Sequence, residues 1–230
     1  MYTFESLRAA GVSVAAMSDK SDGDCRHGFD ESSGRGAFLA GLNMDPQRLA
    51  TLHQVHGTHV AMVDGEWPAF DTTVPRLEGD GLITALQGVT IGVTVADCVP
   101  VLLFDPRTRA VAALHAGREG TAMGIVAAGI ERLVAEYGVN PVDLRGAIGP
   151  SAGPCCYEVS EEIAARCAGE GVVVQGRYLD LWSTNLRALE DAGVKNENIE
   201  ISRQCTICSP GFFSYRGDST VHRNLALIRA

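Results

Sequence analysis

The sequence predicts an α+β fold in which layered β-sheets carry a few inserted helices. Apolar runs of strand length recur along the chain, and several are rich in Val, Ile and Thr, residue types that favour strands. Three longer segments instead repeat their apolar residues with helical periodicity. Because strands and helices do not alternate one by one, the pattern favours layered sheets over parallel βαβ units.

The strand-like segments follow the first fifty residues of the chain. They cover residues 51–55, 59–63, 81–85, 90–95, 99–104, 111–115 and 224–228. The helical segments cover residues 120–137, 158–167 and 180–192. We expect Ser160 to cap the amino end of the second helix and Gly193 to end the third. Residues 18–36 are polar, show no periodicity and predict a loop.

The composition is that of a globular protein, and we expect residues 1–230 to form a single domain. Hydrophobic residues make up 46% of the chain and charged residues 20%, so a sizeable core can be buried. The formal net charge of -9 argues against binding along a nucleic-acid backbone, which needs clustered Lys and Arg. A small-molecule substrate remains open, because a local basic pocket can lie on an acidic protein.

The sequence predicts a cytoplasmic protein without a membrane span. The first twelve residues include Glu5 and Arg8 and lack the apolar run of a signal peptide. No apolar run approaches the roughly 18 residues of a transmembrane helix. We therefore expect the seven cysteines to be mostly thiols, and an odd number cannot pair fully within one chain.

Three short motifs place a His or Cys beside glycine or proline, and HQVHG at residues 53–57 is the first. Residues three apart on a strand face opposite sides, so His53 and His56 point into one site only if the strand has ended. His56 precedes Gly57, where a strand becomes a turn, and such a position is common for a ligand. The alternative is one exposed and one hydrogen-bonded histidine without a metal.

The second motif is VADCVP at residues 95–100. Asp97 lies between two apolar strand segments, so its carboxylate must be paired or lie at the mouth of a cavity. Cys98 has three interpretations, as a thiolate ligand, a nucleophile or a packing residue. Considered alone, the motif favours packing, because free cysteine is among the most buried residue types.

The third motif is LHAGREG at residues 114–120, where a strand runs through a glycine-rich turn into a helix. Backbone N–H groups at the start of a helix are suited to holding an anion such as phosphate. His115 would lie at the end of the strand and face the same opening. The alternative is a turn that only caps and packs.

Taken together, His56, Cys98 and His115 supply two imidazole nitrogens and one thiolate. Such a set suits zinc with a fourth position left open, and an open position permits catalysis. The rival interpretation is a nucleophile–base pair of Cys98 and His115 that needs no metal. Spacing in the sequence does not separate the two.

The other cysteine motifs predict less. Cys205 and Cys208 form a single CxxC pair, and no second CxxC and no HxxxH follows them. We interpret them as reduced structural thiols that catalysis does not need, with redox sensing as a minor alternative. Cys155 and Cys156 are adjacent in the chain and so predicted to be poorly placed to ligate one ion together.

Six motifs, in their order and spacing, resemble one bacterial family. They are HQVHG, GDGLIT, TVADCVPVLLFD, LHAG, AIGPSAGPCCYEV, and CT followed by FFSYRGD. The family was once called multicopper polyphenol oxidase or laccase-like and is now described as a purine nucleoside phosphorylase family. The resemblance covers the chain from about residue 52 onward.

The resemblance implies mixed sheets flanked by helices in an α/β/β/α arrangement, shared distantly with a bacterial toxin deamidase. It implies that His56, Cys98 and His115 bind zinc and form the catalytic centre. It also implies phosphorolysis of adenosine, inosine and methylthioadenosine, and deamination of adenosine, with a purine nucleoside and phosphate as the partners. A copper oxidase fits poorly, because six scattered histidines cannot supply a multicopper cluster of the usual kind.

The substrate contacts that we expect are Gly117, Arg118, Tyr215 and Arg216, since turn amides and arginines are natural donors to phosphate. The family has a YRRD pattern near its end, whereas residues 215–218 here read YRGD, so one arginine is missing.

A second departure from the family follows the HAG motif. The family has Trp and then Arg or Lys at this point, whereas this sequence has Arg118 and then Glu119. A carboxylate in the anion pocket is expected to repel phosphate. Arg118 would compensate only if a local backbone shift let it take the place of the missing cation.

Overall fold

A computed structural model describes residues 1–26, 33–65 and 77–230 of the chain. Within these residues the chain forms thirteen β-strands and seven α-helices. The strands are β1 (Tyr2–Thr3), β2 (Val14–Met17), β3 (Leu49–Ala50), β4 (Val60–Met62), β5 (Gly81–Thr84), β6 (Thr90–Val95), β7 (Val99–Phe104), β8 (Val111–Ala116), β9 (Arg145–Ile148), β10 (Val173–Gln175), β11 (Tyr178–Asp180), β12 (Ile199–Ile201) and β13 (Asn224–Arg229). The helices are α1 (Glu5–Ala9), α2 (Gly34–Gly41), α3 (Arg118–Ala122), α4 (Ile125–Tyr137), α5 (Glu161–Gly169), α6 (Leu181–Asp191) and α7 (Tyr215–Asp218).

The described strands build two large sheets and one hairpin. A five-stranded sheet has the order β1-β2-β13-β6-β3, and a six-stranded sheet has the order β12-β9-β7-β8-β5-β4. Both sheets mix parallel and antiparallel pairs, and β10 and β11 form the antiparallel hairpin. This arrangement confirms the predicted α+β class with mixed sheets.

The main core lies between the two sheets and on their outer faces. All six residues of β7 are buried. Leu102 and Phe104 point toward the five-stranded sheet, whereas Val101 and Leu103 point toward the helices on the other side. Because alternate side chains of a strand face opposite ways, a strand buried on both faces is apolar at every position.

Helices cover both outer faces, which confirms the α/β/β/α layering. Phe38 and Leu39 of α2 pack on Leu225 and Leu227 of the five-stranded sheet. Helices α4 and α6 cover the six-stranded sheet, where Ile130 and Leu189 join its core. None of the helices in the described ranges has the length and apolar composition needed to span a bilayer.

Six of the seven predicted strands are present. The segments 90–95 and 99–104 match β6 and β7 at both ends, and four others differ from their strands by one residue at one or both ends. The strand predicted over 51–55 was wrong, because pairing with β6 stops after β3. Beyond that point the side-chain amide of Gln54, rather than backbone, bonds both N and O of Thr94, each at 2.8 Å.

The first predicted helix, 120–137, was wrong as a single element. Gly124 has a φ of 87°, in the left-handed region that glycine tolerates, and it separates α3 from α4. The second helix covers Glu161–Gly169, so it begins three residues and ends two residues later than predicted. The predicted cap is confirmed, since the hydroxyl of Ser160 accepts a bond from the N–H of Ile163. The third ends at Asp191, shortly before Gly193.

The loop predicted over 18–36 is only partly a loop. A 3-10 helix covers Lys20–Asp22, and α2 begins at Gly34 after the capping hydroxyl of Ser33. Residues 27–32 lie outside the described part of the chain.

Candidate metal centre

The structure brings together the three residues that the sequence singled out as metal ligands. His56 lies in the turn before β4, Cys98 lies between β6 and β7, and His115 is in β8. Each offers a ligand atom, and these atoms all lie within 4.8 Å of one another. The two imidazole rings meet edge to face, with centroids 4.9 Å apart. These distances are compatible with ligation of a single ion.

Strand pairing explains why Cys98 and His115 meet. Strands β7 and β8 are antiparallel, and Pro100 pairs with His115. Cys98, just before β7, therefore lies beside the end of β8. His115 is buried, with only 3% of its surface accessible, whereas His56 is exposed, so the cluster opens to solvent on the His56 side.

Asp80, just before β5, holds the two histidines in place. Its side chain is fully buried and accepts a bond from Nδ1 of His115 at 2.8 Å. It also accepts from the backbone N–H groups of Val55, His56 and Gly57 at 3.2, 2.9 and 2.7 Å. Burial raises the pKa of this carboxyl, but the bonds from His115 and the backbone N–H groups outweigh it and lower the pKa below its usual value. Asp80 therefore stays charged.

Sequence reasoning missed this role of Asp80, although the residue lies in the GDGLIT motif. The available signal was a carboxylate between two glycines directly before an apolar strand, where a buried charge needs partners.

Two residues at the cluster have backbone conformations that are uncommon outside glycine. The φ of His56 is 62° and that of Asp97 is 87°. Asp97 is anchored by three bonds at 2.7 Å, from the hydroxyls of Thr206 and Ser214 and from the N–H of Arg216. Of the two alternatives predicted for Asp97, pairing or a position at the mouth of a cavity, the structure shows pairing. Such conformations persist only when the surroundings over-determine them, and they are frequent at functional sites.

Gly117 touches the cluster directly. A Cβ atom at this position would lie 3.0 Å from Sγ of Cys98 and 3.1 Å from Cδ2 of His56. Its φ of -68° is open to any residue, so the close approach is what requires glycine here. The predicted site residue Gly117 therefore lies against two of the three candidate ligands.

The cluster favours a thiolate at Cys98. Burial raises the pKa of Cys98. The charge of His115 and its hydrogen bond to the sulfur, together with the same two effects from His56, outweigh burial and lower the pKa to about 6. Burial lowers the pKa of His115, but Cys98 and Asp80 outweigh it and raise the pKa to about 9. A thiolate is both the metal ligand and the nucleophilic form of cysteine, so this electrostatic arrangement suits either of the two chemistries predicted.

Arg118 and Glu119 form an ion pair at the start of α3. Nη2 of Arg118 lies 2.5 Å from Oε1 of Glu119, and Nη2 of Arg166 lies 2.9 Å from the same oxygen. The carboxylate that we expected to repel phosphate is therefore neutralised by two arginines. Nη1 of Arg118 is buried and has no hydrogen-bond partner within the described ranges.

The two predicted site residues near the end of the chain differ in their surroundings. Tyr215 is 63% exposed. The guanidinium of Arg216 lies over the ring of Tyr157, 4.9 Å from its centroid, and donates to the carbonyl of Glu158 at 2.5 Å. Sequence reasoning missed Tyr157. Its pKa is raised, because burial and the charge of Cys98 outweigh the opposing charges of Arg118 and Arg216.

The structure corrects the prediction for the remaining cysteine motifs. Cys155 and Cys156 do point toward one site, and they meet Cys205 and Cys208, with all four sulfurs within 4.8 Å of one another. The CxxC pair is therefore not isolated. The second pair is Cys155 and Cys156, which are adjacent in the chain, so a search for a second CxxC motif does not find them.

Comparisons with known proteins agree with the motifs. The chain matches the family model described as multi-copper polyphenol oxidoreductase laccase over residues 5–230. It is 39% identical over 191 residues to purine nucleoside phosphorylase ORF3 of Streptomyces griseus, covering 79% of this chain and 74% of that protein. It is 35% identical over 189 residues to adenosine deaminase RL5 of an unknown prokaryotic organism, covering 76% of this chain and 72% of that protein.

A solved structure shares the fold. The crystal structure of YlmD from Geobacillus stearothermophilus aligns with a TM-score of 0.82 at 31% identity, covering 94% of this chain and 91% of that one. Six ordered motifs, a model match over nearly the whole chain and a common fold lead to one conclusion. The chain belongs to the multi-copper polyphenol oxidoreductase laccase family.

Proposed function

We propose that this protein is a zinc-dependent purine nucleoside enzyme that cleaves adenosine, inosine and methylthioadenosine with phosphate and deaminates adenosine. The observation that carries the proposal is the cluster of His56, Cys98 and His115, supported by the buried carboxylate of Asp80. The relatives named purine nucleoside phosphorylase and adenosine deaminase support the same class of substrate.

The donor set fits zinc. Imidazole nitrogen and thiolate sulfur are both zinc donors, three of them leave a fourth position open, and the exposure of His56 leaves the cluster open to solvent. With Asp80 accepting from Nδ1 of His115, Nε2 is the ring nitrogen available as the ligand atom, and zinc binding would displace its proton. A zinc ion held there would supply Lewis acidity to the reaction.

The substrate would contact residues around this cluster. Nη1 of Arg118 is buried and has no partner within the described ranges, so a shift of this side chain toward the substrate would let it donate to a phosphate oxygen. The ion pair between Glu119 and Arg166 removes the repulsion that an isolated carboxylate would exert. Tyr215 offers an exposed ring on which a purine can stack, beside Arg216. The turn at Gly117 completes this set of substrate contacts.

One assay tests the proposal. Protein of known metal content is incubated with adenosine, with and without phosphate, and the products are identified. We expect adenine and ribose 1-phosphate with phosphate, because phosphate replaces the base at C1′. We expect inosine and ammonia without it, because water replaces the amino group at C6.

The matched control for this assay is His115→Ala, which removes a ligand and should give neither reaction. Binding of adenosine without either product would instead identify a nucleoside-binding protein that has lost catalysis. Equal turnover by the wild type and the variant would contradict the proposed site.

A metal-free cysteine hydrolase or deamidase is the second candidate, and the close contact between Cys98 and His115 favours it. In this case Cys98 attacks the substrate and His115 moves the proton. Chelation separates the two functions, because a metal-free enzyme keeps full activity after zinc is removed and loses it when iodoacetamide alkylates Cys98. The zinc enzyme loses activity on chelation and regains it on adding zinc back.

A further inference from the structure

Four cysteine sulfurs meet beside the metal-ligand cluster but outside it. Cys155 and Cys156 come from the turn after β9, and Cys205 and Cys208 come from the turn after β12. Their sulfurs all lie within 4.8 Å of one another, and those of Cys155 and Cys208 are 3.9 Å apart. We call these four residues the thiol cluster.

A tight turn explains how two adjacent cysteines face one point. In an extended chain their side chains would point to opposite sides. Here the N–H groups of Cys156 and Tyr157 both bond to the carbonyl of Gly153, at 3.0 and 2.9 Å, and the chain curls around Cys155. The turn packs closely against Trp182 at Gly153, where a Cβ atom would lie 2.6 Å from the indole ring.

The backbone also fixes the second pair. Ser151 and Cys205 form a parallel bridge, in which the N–H of Thr206 bonds to the carbonyl of Ser151 at 3.0 Å. The N–H of Gly153 donates to Sγ of Cys205 at 3.3 Å. This donor comes from the first of the two turns, and an N–H group aimed at sulfur stabilises negative charge on it.

The distances favour a metal over a disulfide. A disulfide needs sulfurs about 2.05 Å apart, and the separation of Cys155 and Cys208 is nearly twice that. Zinc binds thiolates at about 2.3 Å in tetrahedral geometry, which places the sulfurs about 3.8 Å from one another. Small side-chain rotations would bring all four to that separation.

We propose that Cys155, Cys156, Cys205 and Cys208 bind a second metal ion, a structural zinc in a closed tetrahedral site. Four sulfur donors complete the coordination and leave no position for water or substrate, unlike the three-donor cluster. Soft thiolates select zinc over hard cations. Sulfurs this close together leave room for one ion and not for a multi-iron cluster.

The ion would tie together two turns that reach the other centre. Thr206 lies between the two cysteines of the CxxC pair, and its hydroxyl bonds to Asp97, the neighbour of Cys98. Tyr157 follows Cys156 directly and lies under Arg216. The structural zinc would therefore hold in place two residues that surround the proposed catalytic centre.

The test counts zinc in full-length protein purified under reducing conditions. The variant His56→Ala/Cys98→Ala removes the three-donor site, so that any remaining zinc reports on the thiol cluster alone. We expect this variant to keep about one zinc per chain, and X-ray absorption at the zinc edge to show sulfur ligands only, at about 2.3 Å. Adding Cys155→Ser and Cys208→Ser should remove that zinc.

The control is Cys25→Ala, which removes a buried thiol outside both clusters and should leave the zinc content unchanged. Because Cys155 and Cys208 are exposed, their substitution tests the site with little disturbance of the core, and circular dichroism reports whether the variants fold. A folded His56→Ala/Cys98→Ala protein without zinc would overturn the proposal. So would iron in place of zinc, nitrogen or oxygen ligands, or a Cys155–Cys208 disulfide in the reduced preparation.

Discussion

The two cysteine-containing clusters of this molecule place the same side chain among different metal donors. Cys98 lies between two histidines, one of them exposed, and that cluster is open to solvent. The thiol cluster consists of sulfur alone, and four donors fill the coordination of one ion. The donors around a cysteine, more than the cysteine itself, therefore decide whether a metal centre can catalyse a reaction or only stabilise the fold.

The polar groups around the two clusters differ in the same way. The histidines depend on a buried charge, since Asp80 holds His115 and the His56 turn together. Cys205 instead accepts from a neutral backbone N–H group, that of Gly153. The first cluster has two residues with positive φ, His56 and Asp97, and at the second Arg203, two residues before Cys205, has a φ of 51°. Positive φ therefore occurs near both clusters, whereas the buried charge of Asp80 lies at the cluster that we propose to be catalytic.

The largest effect should come from removing one of the three proposed zinc ligands of the catalytic centre. We expect His56→Ala, Cys98→Ala and His115→Ala each to abolish binding of one zinc and to reduce turnover of adenosine by at least about 10³-fold, because several kcal/mol of charge stabilisation are lost. Metal analysis and steady-state kinetics measure the two losses. A variant that retains its full zinc content would remove that residue from the coordination sphere.

The next effect should come from Asp80→Asn, which keeps the size of the side chain but removes its charge. We expect roughly 10–100-fold weaker zinc binding, as for other residues that orient a ligand. Competition with a zinc-binding dye measures the affinity. A lower melting temperature with unchanged zinc affinity would show that Asp80 supports only the fold and does not position His115.

A smaller effect should follow from Gly117→Ala, since the added methyl group would press on Cys98 and His56. Overpacking typically costs about 1–3 kcal/mol, so we expect zinc affinity to fall by about tenfold. Gly169→Ala is the matched control, because its added Cβ meets no atom within 4 Å. Equal zinc affinities in the two variants would place the turn at Gly117 outside the metal centre.

The smallest effect should come from Glu119→Gln. Exposed ion pairs contribute about 0–1 kcal/mol, and Arg118 and Arg166 already neutralise this carboxylate. We expect the KM for phosphate to change less than about fivefold, whereas Arg118→Ala should raise it more and leave deamination nearly unchanged. A large gain in phosphorolysis from Glu119→Gln would restore the view that Glu119 repels phosphate.

The sequence predicted the long, buried strands and the cluster of His56, Cys98 and His115. It did not predict features that depend on contacts between residues far apart in the chain. Strands β6 and β7 are apolar throughout because both of their faces are buried, and such runs are easily seen. The missed strands have two to four residues, and no run of strand length marks them in the sequence; they are β1, β2, β3, β9, β10, β11 and β12. The thiol cluster was missed because its members are about fifty residues apart and meet only when β9 and β12 pair.

The position of β13 has a consequence for biosynthesis. This strand lies between β2 and β6 in the five-stranded sheet, pairing Ala226 with Met17 on one side and with Val93 on the other. A nascent chain therefore cannot complete that sheet until residue 229 has left the ribosome, however early β2 and β6 have emerged. Until then β2 and β6 expose unpaired edges, so exposure to chaperones and proteases should last until β13 has emerged.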